Sequence, residues 1–197
     1  MIFIDYLSLS IWLFLIFFWG KFWLADRYLE SSTLQANNFP SVCIVIPARN
    51  EVNSLSISLP SILEQNYQGK ISVILVDDNS TDKTSDLATQ ISKNSKKSAK
   101  TYIIAGKPLP NNWKGKLWAI EQGIEFSQQH ISKVDYFLFT DADIKHEPTN
   151  ISQLVAKAER DNLDLVSLMV LLRCKSFWEK LLIPAFVFFF QKLYPFP

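Results

Sequence analysis

Short, continuously apolar runs alternate along the chain with segments whose apolar residues recur at helical spacing. The runs lack the polar alternation of half-exposed strands and predict strands buried on both faces, at residues 42–46, 71–76, 102–104, 136–139 and 163–170. The intervening segments predict helices, at residues 51–67, 82–91, 117–126 and 148–160. Pro60 is expected to break or kink the first helix. Because helices alternate with buried strands, we predict an α/β fold over residues 41–175, with a mostly parallel sheet and helices on both faces.

An apolar segment precedes this domain. Residues 1–25 hold one acidic and one basic side chain, and their apolar content reaches the roughly 20 residues that cross a bilayer. We therefore expect an N-terminal transmembrane helix, with a buried N-terminal helix as the alternative. Because Lys21 and Arg27 follow the apolar run and Asp5 precedes it, the positive-inside rule places the bulk of the chain on the cytoplasmic side of an inner or plasma membrane. Residues 26–40 are polar and mixed and are expected to form a linker.

A second apolar segment follows the domain, at residues 176–197. Its apolar run is interrupted by Pro184 and is too short to span a bilayer. Lys180 and Lys192 bracket the run, as in an amphipathic helix that lies in the membrane interface. A core helix whose covering partner is absent is the alternative. The sequence stops in apolar residues, and we expect the natural protein to continue.

Charge and composition exclude several functional classes. The net charge is +1, so no basic footprint for nucleic acid is present. Cys43 and Cys174 are the only cysteines and form no Cys-x-x-Cys or Cys/His pattern, which argues against a zinc site or a disulfide framework. Cys43 is expected to be a buried free thiol. No glycine-rich dinucleotide or P-loop motif occurs among the five glycines, so any phosphate must be bound by a metal and by cationic side chains.

Polar residues follow three of the predicted strands at the point where each strand ends. Residues 47–51 follow the first strand, Asp77 and Asp78 follow the second, and residues 141–143 follow the fourth. The carboxyl ends of parallel strands share one edge of a sheet, which is where ligands bind in such folds. The three polar segments are therefore expected to meet at a common rim.

The acidic residues of this rim have both a chemical and a structural interpretation. Asp141 and Asp143 are two residues apart in a turn and can converge on Mg²⁺ or Mn²⁺, although an Asp-x-Asp turn can also be purely structural. Asp77 or Asp78 can accept hydrogen bonds from a nucleotide base or a ribose. Alternatively, one of them caps the next helix, for which residues 80 and 81 are also candidate caps.

Cationic and amide side chains complete the candidate site. Arg49 can bind phosphate through its fork of donors, or pair with Glu51. Asn50 is expected to cap the first helix, so that its amides face a ligand. Lys114 and Lys116 suit a diphosphate, and the alternative is an exposed loop held in place by a neighbouring tryptophan. His146 is either a further metal ligand or a local hydrogen-bonding residue, and His130 is given no role.

Four blocks of sequence together resemble the family 2 glycosyltransferases. They are Val-Ile-Pro-Ala-Arg-Asn-Glu at 45–51, Leu-Val-Asp-Asp-Asn-Ser-Thr-Asp at 75–82, Trp-Lys-Gly-Lys at 113–116 and Thr-Asp-Ala-Asp at 140–143. The resemblance covers residues 40–170, and its specificity comes from the order of the four blocks. Residues 177–186 resemble the hopene-associated branch of that family.

This resemblance implies a GT-A fold, a nucleotide-sugar donor that is usually a UDP-sugar, Mg²⁺ or Mn²⁺, and inversion at the anomeric carbon. It implies that Asp141 and Asp143 hold the metal. The donor-binding residues that it implies are Pro47, Ala48, Arg49, Asn50, Glu51, Asp77, Asp78, Lys114, Lys116, Asp141, Ala142 and Asp143. An apolar tail beside a membrane anchor favours a lipid or other membrane-proximal acceptor.

The chain departs from the family pattern at the general base. The family takes this base from a later acidic motif, whereas Glu179 is the only carboxylic side chain after Asp164. The base is expected beyond Pro197, so this polypeptide is expected to bind donor but to turn over poorly. Three alternatives stay open: a non-catalytic membrane-bound subunit of the same fold, a receiver-type phosphoacceptor domain, and a nucleotidyltransferase. The receiver domain has its acidic pair after the first strand and the nucleotidyltransferase has a glycine-rich phosphate loop, and this sequence has neither feature.

Overall fold

The computed structural model describes residues 2–19, 29–30, 39–95 and 99–194. The elements of this described part are α1 (Ile2–Phe18), β1 (Val42–Ala48), α2 (Val52–Leu63), β2 (Ile71–Asp77), α3 (Thr84–Asn94), β3 (Lys100–Ala105), α4 (Gly115–His130), β4 (Tyr136–Phe139), α5 (Asn150–Asp161) and α6 (Phe177–Leu193). The chain divides into two compact units: Glu30–Val166, and Met1–Leu29 together with Ser167–Pro197.

The larger unit is built on a four-stranded parallel sheet with the strand order β3-β2-β1-β4. Strands β1 and β2 lie in the centre, where Val45 pairs with Ile74 on one side and with Phe139 on the other. Residues 42–46 of β1 and 73–76 of β2 are fully buried, as expected for parallel strands that helices cover on both faces. The predicted α/β architecture with a parallel sheet is confirmed.

The two faces of the sheet carry separate hydrophobic clusters. On one face, Ile44 and Ile46 of β1 pack among buried residues of α2, α3 and α5. On the other face, Cys43 and Val45 pack with Ala119 of α4. Cys43 is a free cysteine, and burial raises the pKa of its thiol to about 11, so the prediction of a buried free thiol is confirmed.

The predicted strand at residues 163–170 and the predicted break of the first helix at Pro60 were wrong, whereas a kink at Pro60 stays a prediction. Residues 163–170 form no strand, and Leu165 in that segment is exposed. Pro60 does not end α2, which continues to Leu63. The missing amide of Pro60 would have bonded the carbonyl of Ser56 four residues earlier, and Ser56 is exposed, so water can reach that carbonyl.

The burial prediction also failed for β4. Its side chains alternate between half-buried and exposed, and Phe137 and Phe139 are 37% and 48% exposed. Strand β4 has a described neighbour, β1, along one side. An apolar run therefore indicated a strand correctly without indicating how much of it would be covered.

The smaller unit contains α1 and α6. The indole N–H of Trp19 donates to the carbonyl oxygen of Lys192 at 2.8 Å, and the Lys192 ammonium lies 4.6 Å from the centroid of the Trp12 ring. Within the part of the chain that the structure describes, no helix combines the length and apolar character of a membrane span. Residues 20–25 of the predicted anchor and most of the predicted linker, residues 26–28 and 31–38, lie outside the described residues.

Candidate functional site

The carboxyl ends of β1 and β2 lie side by side and form the first part of the site. Ala48, the last residue of β1, pairs with Asp77, the last residue of β2, and the amide of Asp78 donates to the carbonyl oxygen of Ala48 at 2.8 Å. Pro47 is half-buried and Ala48 is buried, so these two residues contribute mainly backbone to the rim. The guanidinium of Arg49 lies 3.7 Å from the Asp78 carboxylate, rather than pairing with Glu51 as the alternative interpretation held.

Asn50 ties the loop after β1 to the loop after β2. Its backbone amide donates to Ser80 Oγ at 3.0 Å, and its side-chain oxygen accepts from the Thr81 amide at 2.7 Å. Asn50 and Asn79 both have φ of 55°, a left-handed conformation that asparagine tolerates better than most residues. Hydrogen bonds of Asn50 therefore join the loop after β1 to the loop after β2.

The predicted helix caps at this rim were wrong. The N-cap residue of α2 is Glu51 and not Asn50, and α3 begins at Thr84, beyond residues 80 and 81. The amides at the start of α2 instead donate to side chains before and at the start of α3: the Glu51 N-cap amide to Thr84 Oγ1 at 2.9 Å and the Val52 amide to Asp82 Oδ2 at 3.2 Å. The hydroxyl of Thr84 lowers the pKa of Asp82 by donating to its carboxylate.

Asp77 and Asp78 have different surroundings. Asp77 Oδ1 accepts from the Ser80 amide at 3.0 Å and so shapes its own turn. The Asp78 side chain is 22% exposed and lies against the start of α4: a Cβ added at Gly115 would be 3.2 Å from Asp78 Oδ2. Glycine at this position allows the helix start and the carboxylate to approach closely. The sequence interpretation used Lys114 and Lys116 and missed Gly115 between them.

The Asp141–Asp143 turn reaches the same helix start from the other side. Asp141 and Asp143 are exposed, whereas Ala142 between them is buried. The Lys116 ammonium lies 2.5 Å from Asp141 Oδ1. Since Gly115 adjoins Asp78 and Lys116 contacts Asp141, the first two residues of α4 connect the loop after β2 with the loop after β4.

The loop before α4 is held in place by tryptophan and amide contacts. The rings of Trp113 and Trp118 lie 5.2 Å apart, and the Trp118 indole N–H donates to the carbonyl oxygen of Lys107 at 3.2 Å. The buried side chain of Gln122 accepts from the Lys107 amide at 2.6 Å. Lys114 is exposed at the end of this loop, at the N-cap of α4.

His146 forms local hydrogen bonds through both ring nitrogens. Its Nε2 lies 2.9 Å from Thr140 Oγ1, and its Nδ1 lies 3.0 Å from Asn150 Oδ1. This arrangement corresponds to the local interpretation of the residue. Among the described residues, no group of three or more histidine, cysteine and acidic side chains is arranged to hold a metal ion.

Two curated relatives each match about three fifths of the chain. The chain is 30% identical over 122 residues to an uncharacterized protein of Methanocaldococcus jannaschii. This alignment covers 62% of this chain and 48% of that protein. It is 30% identical over 120 residues to the 4,4'-diaponeurosporenoate glycosyltransferase of Staphylococcus haemolyticus, covering 61% of this chain and 27% of that protein. The matched part is thus less than half the length of either relative.

Solved structures and a family model also match. The structure of residues 1–349 of TarS from S. aureus superposes with a TM-score of 0.49 and 16% identity, covering 62% of this chain and 33% of that chain. The model of Glycosyl transferase family 2 matches residues 43–194, which includes all the loops described above. The chain belongs to glycosyl transferase family 2.

Proposed function

We propose that this rim binds a nucleotide-sugar, with a UDP-sugar as the first candidate, and that the enzyme transfers the sugar with inversion in a metal-dependent reaction. The observation that carries the proposal is the shared start of α4, where Gly115 adjoins Asp78 and Lys116 contacts Asp141. A ligand seated against this helix start meets the loops after both β2 and β4. The proposed fold is GT-A, as the family implies.

The nucleotide end of the ligand is assigned to Asp78. Its carboxylate can accept hydrogen bonds from the imide N–H of uracil or from ribose hydroxyls. Asp78 is largely shielded from water, which strengthens such a hydrogen bond relative to one in bulk solvent. Asp77 instead accepts a hydrogen bond from the Ser80 amide and so stabilises the loop after β2. Residues 47–51 line the rim beside Asp78.

The diphosphate is assigned to the start of α4 and the cations around it. Helix N-termini favour anions because their first amides lack intrahelical partners, and Lys114 and Lys116 add positive charge there. The pair between Lys116 and Asp141 joins two side chains that are about half exposed, and such pairs contribute little free energy. Lys116 can therefore exchange its contact with Asp141 for a phosphate oxygen. Arg49, which is mostly exposed, is a further donor to phosphate.

The carboxylates of Asp141 and Asp143 fit a hard divalent ion. Mg²⁺ uses one or two protein carboxylates and completes its shell with water and substrate phosphates, and these two side chains are both exposed in one turn. When bound, Mg²⁺ or Mn²⁺ would supply the positive charge that a departing diphosphate requires. The residues themselves orient the diphosphate between α4 and the turn after β4.

Glu179 is unsuited to act as the general base. Its carboxylate accepts from the amides of Ser176 at 2.7 Å and Lys175 at 2.8 Å, within a capping box at the start of α6. These two bonds, that of Ser176 first, lower its pKa, whereas a base for an acceptor hydroxyl works best with a pKa near the operating pH. We expect residues 1–197 to bind donor and to transfer sugar slowly.

We further propose that the enzyme works at a membrane, with the sheet domain on the cytoplasmic side and a lipid or other membrane-proximal acceptor. Exposed apolar side chains along α1 and α6 support this proposal; they include Phe14, Phe17, Phe177, Trp178 and Phe186. Exposed apolar surface of this extent is typical of segments that contact a membrane or another protein. The tail resembles the hopene-associated branch of the family, and we propose membership of that branch.

The proposed function is tested by a thermal-shift panel of UDP-, GDP- and CDP-sugars, each with Mn²⁺ and with a chelator. A ligand at one hundred times its Kd stabilises the folded state by about 2.7 kcal/mol, so a clear rise in Tm is expected for the true donor with Mn²⁺. The same nucleotide-sugar with chelator should give a smaller rise. No response to any nucleotide-sugar, or a response that ignores the metal, would contradict the proposal.

A further inference from the structure

We infer that a stripe of polar side chains on α2 and just beyond its end, formed by Ser58, Ser61 and Gln65, positions the Asp141–Asp143 turn for metal and diphosphate. The inference rests on the proposed function of that turn. The three residues are three and four positions apart, which places them on one side of the helical path. Ser58 is also three positions after Leu55 and buried with it, so the polar stripe borders the buried apolar side of the helix.

The first contact of this polar stripe is made at the centre of the turn. Ser58 Oγ donates to the carbonyl oxygen of Ala142. Ser58 is 1% exposed and Ala142 is 3% exposed, so water cannot readily replace either partner. The turn is thus anchored by its middle residue, and the two flanking carboxylates point outward from that anchor.

The next contacts continue along the chain that follows the turn. Ser61 Oγ accepts from the His146 amide at 3.0 Å and donates to the Ser58 carbonyl oxygen at 2.6 Å. Gln65, which is 2% exposed, donates to the carbonyl oxygen of Glu147 at 2.7 Å and accepts from the Ile151 amide at 3.1 Å. The polar stripe therefore bonds the backbone at four places from Ala142 to Ile151.

This anchoring matters for the proposed chemistry because the carboxylates are exposed, and the described ion pair of Asp141 is with Lys116, whose side chain is itself exposed. Asp141 and Asp143 are exposed, and their separation is set by the backbone of Ala142. Mg²⁺ demands nearly ideal octahedral geometry, and outer partners that orient metal ligands typically change metal affinity by roughly 10–100-fold when they are removed. Ser58, Ser61 and Gln65 are positioning residues in this sense, since they act through the turn and not on the substrate.

The test compares Ser58→Ala with Ser56→Ala in the full 197-residue chain. Ser56 lies on the same helix, is exposed, and donates to the carbonyl oxygen of Asn53 at 2.8 Å. Binding of Mn²⁺ at saturating UDP is followed by electron paramagnetic resonance, well below the Tm of each variant. Ser58→Ala should weaken Mn²⁺ binding about tenfold while Ser56→Ala leaves it unchanged. UDP affinity without metal should be the same in both.

Hydrogen exchange of the ligand-free proteins separates the possible failures. Ser58→Ala should accelerate exchange at the Ile144 amide, which donates to the Asp141 carbonyl oxygen inside the turn that Ser58 anchors. Gln65→Met removes the acceptor of the Ile151 amide and serves as a second variant, with exchange at Ile151 as its readout, if Ser58→Ala does not fold. Faster exchange with unchanged Mn²⁺ affinity would show a structural role alone and overturn the inference. If the unmodified chain does not bind Mn²⁺ with UDP, the proposed function fails, and the positioning role falls with it whatever the exchange data show.

Discussion

Single asparagine residues decide how the rim loops close. Asn50 and Asn79 take the left-handed conformation, and the Asn50 side chain bonds the loop after β2. The sequence indicated that Asn50 belongs to the site but assigned it to the wrong partner. Capping preference is a local property, whereas the actual partner is thirty-one residues away and depends on the pairing of β1 with β2. Residue types at the rim could be predicted, but their hydrogen bonds could not.

A carboxylate at the opposite edge of the sheet gives a prediction that does not depend on ligand binding. Asp135 accepts from the amide of Ser41 at 2.7 Å and from its hydroxyl at 2.8 Å, which joins the starts of β1 and β4. The Ser41 amide first, followed by Lys133 and the Ser41 hydroxyl, lowers the pKa of Asp135 to about 2. Because an unfolded aspartate has a pKa of about 3.9, the ionised form is favoured by folding. Its contribution to stability is present above pH 4 and is lost as the pH falls towards 2.

We therefore expect Asp135→Asn to lower the free energy of unfolding at pH 7. The difference from the unmodified chain should shrink as the pH is lowered from about 4 to about 2. Urea denaturation across this pH range measures both quantities. An equal difference at pH 7 and at pH 2.5 would show that the charge of Asp135 is not the cause.

At the scale of elements, the period of apolar residues located four strands and the helices between them. It failed at residues 163–170, where a continuous apolar run forms no strand. An apolar run shows that a segment prefers burial, but a strand also needs a neighbour with free backbone groups. Strand β4 shows a related limit: its apolar sequence predicted a strand but did not reveal that the side chains of Phe137 and Phe139 are exposed.

The packing of α4 on β1 gives a prediction at this scale. A Cβ added at Gly123 would overlap the side chain of Val45, which is fully buried in the central strand. Gly123→Ala gains helix propensity of up to about 1 kcal/mol, but overpacking costs about 1–3 kcal/mol. We expect a net loss of stability of about 1 kcal/mol, measured by urea denaturation.

A second variant tests the cause of that loss. Val45→Ala removes the two methyl groups that a Cβ at Gly123 would meet. In the Val45→Ala background, Gly123→Ala should therefore be neutral or stabilising, as a double-mutant cycle would show. A loss of the same size in both backgrounds would mean that the close approach of α4 to β1 is not responsible.

At the scale of the whole molecule, the position of the rim followed from topology. Parallel strands bring their carboxyl ends to one edge, so polar residues that are far apart in sequence could be expected to meet there. The start of α4 supplies the link between Asp78 and Asp141, and the close approach of its Gly115 to Asp78 was visible only in the structure. The division into two units places all of these residues in the unit of residues 30–166.

The central claim is that one ligand contacts both the β2 loop and the β4 loop. Calorimetric titration of UDP, with and without Mn²⁺, into the unmodified chain, Asp78→Asn, Asp143→Asn and the double variant tests it most directly. We expect Mn²⁺ to strengthen UDP binding, Asp143→Asn to abolish that gain, and Asp78→Asn to weaken UDP binding about tenfold even without metal, a loss of about 1.4 kcal/mol. If Asp143→Asn keeps the full gain from Mn²⁺, or if Asp78→Asn binds UDP as tightly as the unmodified chain, the two loops do not share this ligand.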